Sequence, residues 1–113
     1  MICNAISFAE ATPNNIILWE VLVPTIKNNK PIRLRYHKVW DKKVHEIAGG
    51  LTIGTPNVGY WRNQGEVIRE RMIPVKIACT YKQLMEILKF TKKYYEQEAI
   101  FYYRITEQIG IYK

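Results

Sequence analysis

The order of the segments in this sequence predicts an α+β fold, and three observations support that prediction. Two stretches carry apolar residues at the spacing of a helix face. Four others show the alternating or continuous apolar pattern of strands. Along the chain they run strand, helix, strand, strand, helix, strand. We therefore predict a ferredoxin-like βαββαβ fold, a four-stranded antiparallel sheet in the order 4-1-3-2 with two helices on one face.

The first predicted strand covers residues 16–25, with the sequence IILWEVLVPT. It is apolar at nearly every position except Glu20, and it is rich in the β-branched and aromatic residues that favour strands. An apolar pattern on both faces indicates a strand that is covered on both faces. This strand is therefore placed in the middle of the sheet.

A turn at residues 27–31 precedes the first predicted helix, which begins near Pro31 or a few residues later. Four apolar or aromatic residues recur along the helix at the spacing of a single face: Tyr36, Trp40, Val44 and Ile47. The helix is predicted to end at Gly49 and Gly50, because glycine readily takes the left-handed conformation that closes a helix.

The central feature of the sequence is a predicted hairpin over residues 49–79, which turns at residues 62–65. Its second arm alternates over residues 67–79 and has one face that is apolar at one end and basic at the other. Pro56 and Gly59 interrupt the first arm. Because proline cannot donate a ladder hydrogen bond, we predict a bulge or an edge position there.

Thr80 is predicted to begin the second helix as its N-cap, and Gln83 completes a capping-box pattern. The buried face of this helix is predicted to contain Leu84, Ile87, Leu88, Thr91 and Tyr95. A last strand follows at residues 99–105, and residues 109–112 are predicted to add a short terminal strand.

The composition is that of one ordered domain. The chain has 113 residues, of which 48% are hydrophobic and 12% aromatic. We expect residues 1–15 to be flexible and residues 16–113 to form a single α+β domain. The net charge of +7 favours anionic partners, although basic charge also serves solubility alone.

The two cysteines, Cys3 and Cys79, have no CxxC spacing and no neighbouring histidine. They are interpreted as reduced, buried thiols. The first 15 residues lack the features of a signal peptide, and no segment approaches the length of a membrane span. A cytoplasmic protein without membrane contact is predicted.

A sheet with both helices on one face leaves the other face open. The last strand and the first strand supply aromatic residues to it whichever way they point, and a monomer seldom exposes a large apolar patch. We therefore predict a homo-oligomer, at least a dimer, that pairs through this face.

Two motifs with possible chemistry are interpreted as structural. His37, Asp41 and His45 share one flank of the first helix at a spacing that suits a metal, but Lys38 and Lys42 lie beside them. A solvated helix rim is favoured. The glycines of residues 49–54 follow a helix and precede a strand, the reverse of a phosphate-binding loop. No catalytic residue, metal or cofactor is predicted, and a non-enzymatic protein is favoured over a small dimeric α+β barrel enzyme.

A basic and aromatic set around the hairpin is the strongest candidate for a binding site. Guanidinium groups fork onto phosphate and aromatic rings stack on bases. The predicted ligand-binding residues are Arg33, Arg35, Trp40, Tyr60, Trp61, Arg62, Arg69, Arg71 and Arg104. The alternative is structural: Arg69 and Arg71 pair across strands with Glu66, Glu70 or Glu20, and Tyr60 and Trp61 cap a core or dimer contact.

Five segments carry a resemblance to a known group of proteins: WEVLVPT, IAGGLTI, GYW, ERMIPVKIACT and YEQEAIFYYRI. Together they resemble small bacteriophage and mobile-element proteins of ferredoxin-like pattern. Some such proteins are anti-defence sponges that sequester nucleotide immune signals.

The resemblance implies a phage-type protein that binds a phosphorylated nucleotide-derived ligand, such as an ADP-ribose derivative or a cyclic nucleotide. A basic module that docks on an acidic host protein is the alternative. Long nucleic acid is not expected, because the central strand RERMIPVKIA has no aromatic residues.

Overall fold

The computed structural model describes residues 15–113. The predicted flexible start and Cys3 lie outside the described residues, apart from Asn15. The strands are β1 Ile17–Pro24, β2 Ile26–Lys27, β3 Lys30–Pro31, β4 Thr52–Ile53, β5 Asn57–Asn63, β6 Glu66–Cys79 and β7 Tyr102–Thr106, and the helices are α1 Leu34–Ala48 and α2 Tyr81–Tyr94. Neither helix of this region has the length and apolar character needed to cross a membrane.

The predicted fold class is confirmed, since the protein is α+β with two helices and an antiparallel sheet. The sheet order is β4-β6-β1-β7, and β5 also pairs with β6. β1 and β6 lie in the middle, in register from Ile17 opposite Cys79 to Pro24 opposite Met72. Because β4 and β5 together form the second predicted strand, this is the predicted order 4-1-3-2.

The first arm of the hairpin is divided into β4 and β5 at residues 54–56. Pro56 has no N–H to donate to the ladder. The Gly54 N–H instead donates to the carbonyl of Pro74 at 2.8 Å. A Cβ atom on Gly54 would lie 3.0 Å from the Pro74 ring and 3.2 Å from its carbonyl oxygen, so this close approach favours glycine.

α1 begins at Leu34, a few residues after Pro31 as predicted, because Pro31 pairs with Ile26 in the small β2–β3 hairpin. Two other predictions were wrong. β7 begins at Tyr102 rather than at residue 99. The terminal strand predicted at residues 109–112 is absent, and these residues are exposed. Alternating apolar residues make a strand only where a neighbouring strand offers unpaired backbone groups.

The core lies between the sheet and both helices. Alternate residues of the two central strands form its sheet side: Ile17, Trp19, Val21 and Val23 from β1, and Val75, Ile77 and Cys79 from β6. Trp40 of α1 is 1% exposed, and its Nε1 donates to Thr91 Oγ1 of α2 at 2.9 Å. This buried hydrogen bond joins the two helices above the sheet.

The ends of the two helices differ. The predicted capping box is confirmed, since Thr80 Oγ1 accepts from the Gln83 N–H at 3.1 Å and Gln83 Oε1 accepts from the Thr80 N–H at 2.9 Å. Gly49 ends α1 in the left-handed region at φ 86°, as predicted. The N-cap of α1 is Arg33, which makes no capping hydrogen bond, and the first turn has no acidic residue.

The sheet face opposite the helices is called the open face; its residues include Leu18, Glu20, Leu22, Met72, Lys76, Phe101, Tyr103 and Ile105. At its centre the Tyr103 hydroxyl donates to the Glu20 carboxylate, which also pairs with Lys76 at 3.4 Å. Phe101, Tyr103 and Ile105 are 53%, 44% and 39% exposed. An apolar and aromatic surface therefore surrounds a partly buried charge cluster.

Candidate functional site

The predicted ligand-binding residues lie in separate places. Trp40 belongs to the core, where its indole is 1% exposed and lines only a small cavity of ≈ 110 Å³. Trp61 and Arg62 line a groove of ≈ 700 Å³ at the hairpin, and Trp61 Nε1 donates to Glu70 Oε1 at 3.3 Å. Arg104 lines another hollow of ≈ 470 Å³.

The other basic residues of the set lie around the β2–β3 turn. Arg69 and Arg71 line a cleft on one side of this turn, and Tyr60, the cross-strand partner of Arg69, is 64% exposed. Arg33 and Arg35 line a second cleft on the α1 side. Within residues 15–113, neither Arg69 nor Arg71 forms the alternative ion pairs with glutamate. The set therefore occupies several clefts and does not converge on one concave site.

A different group of residues has the geometry of a compact site. His37, Asp41 and Tyr95, called the His37 cluster, meet where α1 approaches the end of α2. The His37 Nδ1 lies 2.7 Å from the Tyr95 hydroxyl. His37 and Asp41 line a small cavity of ≈ 110 Å³, whose other walls are apolar and include Ile53 and Val75. An imidazole and a carboxylate thus share one apolar hollow.

Burial controls the protonation of this cluster. It lowers the pKa of His37, against the opposing effect of the Asp41 charge. It raises the pKa of Asp41, and it raises that of Tyr95 strongly, so the phenol stays protonated. Since Tyr95 occupies Nδ1, the neutral imidazole keeps Nε2 for another contact.

The lowered pKa of His37 predicts that stability falls as the pH drops below 6.5. The unfolded chain takes up its proton at a higher pH than the folded protein does, so this contribution is complete above 6.5 and is lost towards the folded-state pKa. The melting temperature of wild type relative to His37→Asn, measured from about pH 8 to about pH 5, should therefore decrease. The exposed His45→Asn variant is the control. A constant difference between wild type and His37→Asn would contradict the prediction.

The prediction for Cys79 agrees with the structure. The side chain is buried in the core, and burial raises the pKa of its thiol to about 12. A thiol in that environment is not reactive at neutral pH. Cys79 is a core residue and is not part of a candidate site.

The His37 cluster offers a divalent ion two ligands from one chain. Among the described residues, no three His, Cys, Asp or Glu side chains lie close enough together to hold a metal ion. His45, the third member of the motif considered above, is exposed and does not join His37 and Asp41 in such a group. His37 and Asp41 therefore do not form an enclosed metal site, which needs more protein ligands than two.

Sequence reasoning missed Tyr95 as a partner of His37. The spacing of His37 and Asp41 indicated that both lie on one flank of a helix, but Tyr95 is 58 residues beyond His37 and was assigned only to a buried stripe. The sequence held one signal of this burial: His37 borders the apolar face of the helix, which contains Trp40. Helix spacing alone did not indicate which of the two histidines is half-buried.

These features define an α+β protein of the ferredoxin-like class, with an open sheet face, several basic clefts and a half-buried His–Asp pair. No protein-family model matches the sequence, and no curated protein sequence matches it.

Solved structures of CutA proteins are similar to this chain. The divalent cation tolerance protein Cut A1 from Thermus thermophilus has a TM-score of 0.66 at 14% identity, over 85% of this chain and 87% of that one. CutA1 from Oryza sativa has the same TM-score and identity, over 88% and 87%. The periplasmic divalent cation tolerance protein CutA from Archaeoglobus fulgidus has a TM-score of 0.65 at 12% identity, over 85% and 87%. At these identities the likeness establishes the fold.

The resemblance to bacteriophage and mobile-element proteins was therefore wrong, because the structural neighbours are CutA proteins. The prediction of a nucleotide-signal sponge was wrong with it, and the alternative of docking on a host protein depended on the same phage origin. The segments that carried the resemblance, such as GGLTI and ERMIPVKIACT, form strands and turns of the fold. Such segments specify backbone pairing and carry no information about a ligand.

Proposed function

We propose that this protein is a non-enzymatic homo-oligomer that acts in tolerance of divalent cations, and that His37 and Asp41 contact the cation. The observation that carries the proposal is the imidazole and the carboxylate at one small cavity. Nitrogen and oxygen donors of these kinds bind zinc, copper and related ions. The structural neighbours are named divalent cation tolerance proteins, which supports the same role.

Tyr95 supports this role as a positioning residue. A histidine that binds a metal through one ring nitrogen usually has its other nitrogen held by a hydrogen bond, which fixes the orientation of the ring. The Tyr95 hydroxyl, 2.7 Å from Nδ1, holds His37 in this way in the tautomer whose Nδ1–H donates to the phenol oxygen and leaves the Nε2 lone pair for the metal. The lowered pKa of His37 also keeps the imidazole in the neutral form that binds metals.

The proposed contact is reversible. Two protein ligands leave most coordination positions to water, and the net charge of +7 opposes the approach of a cation. Both effects weaken binding. The expected role is therefore exchange of an abundant or excess ion, and not tight storage of a scarce one.

The open face supports the homo-oligomer. Phe101, Tyr103 and Ile105 expose aromatic and apolar surface around the Glu20 charge cluster, and a second copy would remove that surface from water. A symmetric contact of this kind is the commonest way to pair identical chains. We propose at least a dimer.

Titration calorimetry with Zn²⁺ or Cu²⁺ tests the cation contact. Asp41→Asn removes the negative charge of one ligand and His37→Asn removes the imidazole nitrogen, so each should weaken binding more than Tyr95→Phe does. The latter removes only the positioning hydrogen bond and is expected to cost about tenfold in affinity. His45→Asn, a histidine change on the same helix, should leave the affinity unchanged. Equal losses in His45→Asn, or no heat with wild type, would overturn the proposed contact.

Growth of a cation-sensitive bacterial strain tests the biological role. Expression of wild type should raise the Cu²⁺ or Zn²⁺ concentration at which growth stops, and the double variant His37→Asn with Asp41→Asn should not. We propose the cytoplasm as the location, whereas one structural neighbour is named as periplasmic. Growth of cells that express the protein with or without an added secretion signal shows in which of these two compartments it protects. Protection by the double variant equal to that of wild type would count against the role of the pair.

A further inference from the structure

We infer that the cleft between the β2–β3 turn and the start of α1 binds a small oxyanion with two or more negative charges. This cleft, called the basic cleft, has a volume of ≈ 660 Å³ and is lined by Lys27, Lys30, Arg33 and Arg35. No aspartate or glutamate is among its lining residues. The inference concerns a second site and does not depend on the proposed cation function.

The positive charges of the basic cleft are poorly compensated within the described chain. Lys27 pairs with Glu96 at 2.9 Å, but Lys30, Arg33 and Arg35 have no ion-pair partner among residues 15–113. Lys27 and Lys30 are also cross-strand partners. Like charges at opposed positions destabilise a strand pair. An anion between these side chains would offset that repulsion.

One wall of the basic cleft is already ordered. Lys27 Nζ donates to the Tyr36 hydroxyl at 3.0 Å, and this hydroxyl donates to the Tyr94 carbonyl at 2.5 Å. The turn between the two lysines is tight, with Asn28 at φ 53° and Asn29 at φ 64°, the conformation of a two-residue hairpin. Fixed side chains lose less conformational freedom when a ligand binds.

The start of α1 adds to the same field. Arg33 supplies no capping hydrogen bond and the first turn has no acidic residue, whereas α2 begins with a complete capping box. The positive end of the 15-residue helix α1 therefore lies beside the basic side chains, and no acidic residue of its first turn neutralises it. The helix end adds to the positive potential of the cleft, which comes mainly from the side-chain charges.

The lining indicates the class of ligand. Guanidinium groups donate paired hydrogen bonds to phosphoryl or carboxylate oxygens. The one aromatic ring in the lining, Tyr36, already stacks on Tyr94 with ring centroids 4.2 Å apart. The cleft therefore has charges for an oxyanion but no free ring on which a base could stack. Inorganic pyrophosphate and citrate represent the phosphoryl and carboxylate forms of such a ligand.

Titration calorimetry of the full chain with pyrophosphate and with citrate, at matched ionic strength, tests the inference. Wild type should bind at least one of them. The double variant Arg33→Gln with Arg35→Gln should bind at least about tenfold more weakly, because each substitution removes a charge-assisted hydrogen bond. The matched control is Lys82→Gln with Lys89→Gln, which removes two exposed charges from α2. This control should bind like wild type.

The outcomes distinguish a phosphoryl ligand from a carboxylate ligand, and a loss of the site from unfolding or from a general loss of charge. Binding of pyrophosphate alone assigns a phosphoryl ligand, binding of citrate alone assigns a polycarboxylate, and either supports the site. The single variant Lys30→Gln, which changes a hairpin residue outside α1, gives the same readout should the double arginine variant unfold. No binding of either anion, or an equal loss in the Lys82 and Lys89 control, would overturn the inference.

Discussion

Replacing Trp40 with alanine is expected to destabilise the protein by about 3–5 kcal/mol. The indole is 1% exposed and lies between α1, α2 and the sheet. Its loss leaves a large cavity and deprives Thr91 Oγ1 of its donor. A domain of this size is stable by only about 5–15 kcal/mol in total, so a large share of the variant should be unfolded under mild conditions.

Urea unfolding followed by circular dichroism, at one fixed protein concentration, measures this effect. Tyr60→Ala removes an aromatic ring that is 64% exposed and should change the free energy of unfolding by no more than about 0.5 kcal/mol. Trp40→Phe keeps most of the packing but loses the hydrogen bond to Thr91, and it should lie between the two. Equal urea midpoints for Trp40→Ala and Tyr60→Ala would contradict the placement of Trp40 in the core.

Replacing Phe101 with glutamate is expected to dissociate the proposed oligomer. Phe101 lies on the open face, and its ring is within stacking distance of Trp61, with centroids 5.8 Å apart. A carboxylate at this position would have to lose its water in the contact between copies, among the aromatic rings of Trp61 and Tyr103. We expect the dissociation constant to rise at least about a hundredfold, which corresponds to about 2.8 kcal/mol.

Light scattering coupled to size-exclusion chromatography, over a range of protein concentrations, measures the mass of the assembly. Val39→Glu is the matched control, because Val39 is 53% exposed on α1, in the helix layer away from the open face. It should leave the mass unchanged. A monomeric wild type at all concentrations, or equal dissociation by Val39→Glu, would be evidence against pairing through the open face.

The clefts and the His37 cluster respond to different substitutions. The proposed cation contact uses His37 and Asp41, whereas the proposed anion site uses Lys30, Arg33 and Arg35. α1 carries members of both groups, with Arg33 and Arg35 at its start and Asp41 in its middle. Measuring both ligands on each variant therefore shows whether the two sites are independent.

Much of the fold was predictable from local patterns. The apolar run of β1 indicated a central strand, the Thr80 and Gln83 pair indicated the start of α2, and Gly49 indicated the end of α1. Each of these features depends on neighbours within a few residues, such as a cap or the alternation along a strand. The positions of β4 and β5 were predicted in outline, through the interruption at Pro56.

The sites were less predictable because they depend on residues far apart in the chain. The sequence determined the α+β fold, the strand order and the basic charge, since these follow from periodicity, caps and composition. Only the tertiary structure decided that Trp40 donates a hydrogen bond to Thr91, that Tyr95 meets His37, and that Arg33 and Arg35 join Lys27 and Lys30 in one cleft. Helix and strand periodicity gives the face on which a side chain lies, whereas the packing of distant segments determines what that face meets.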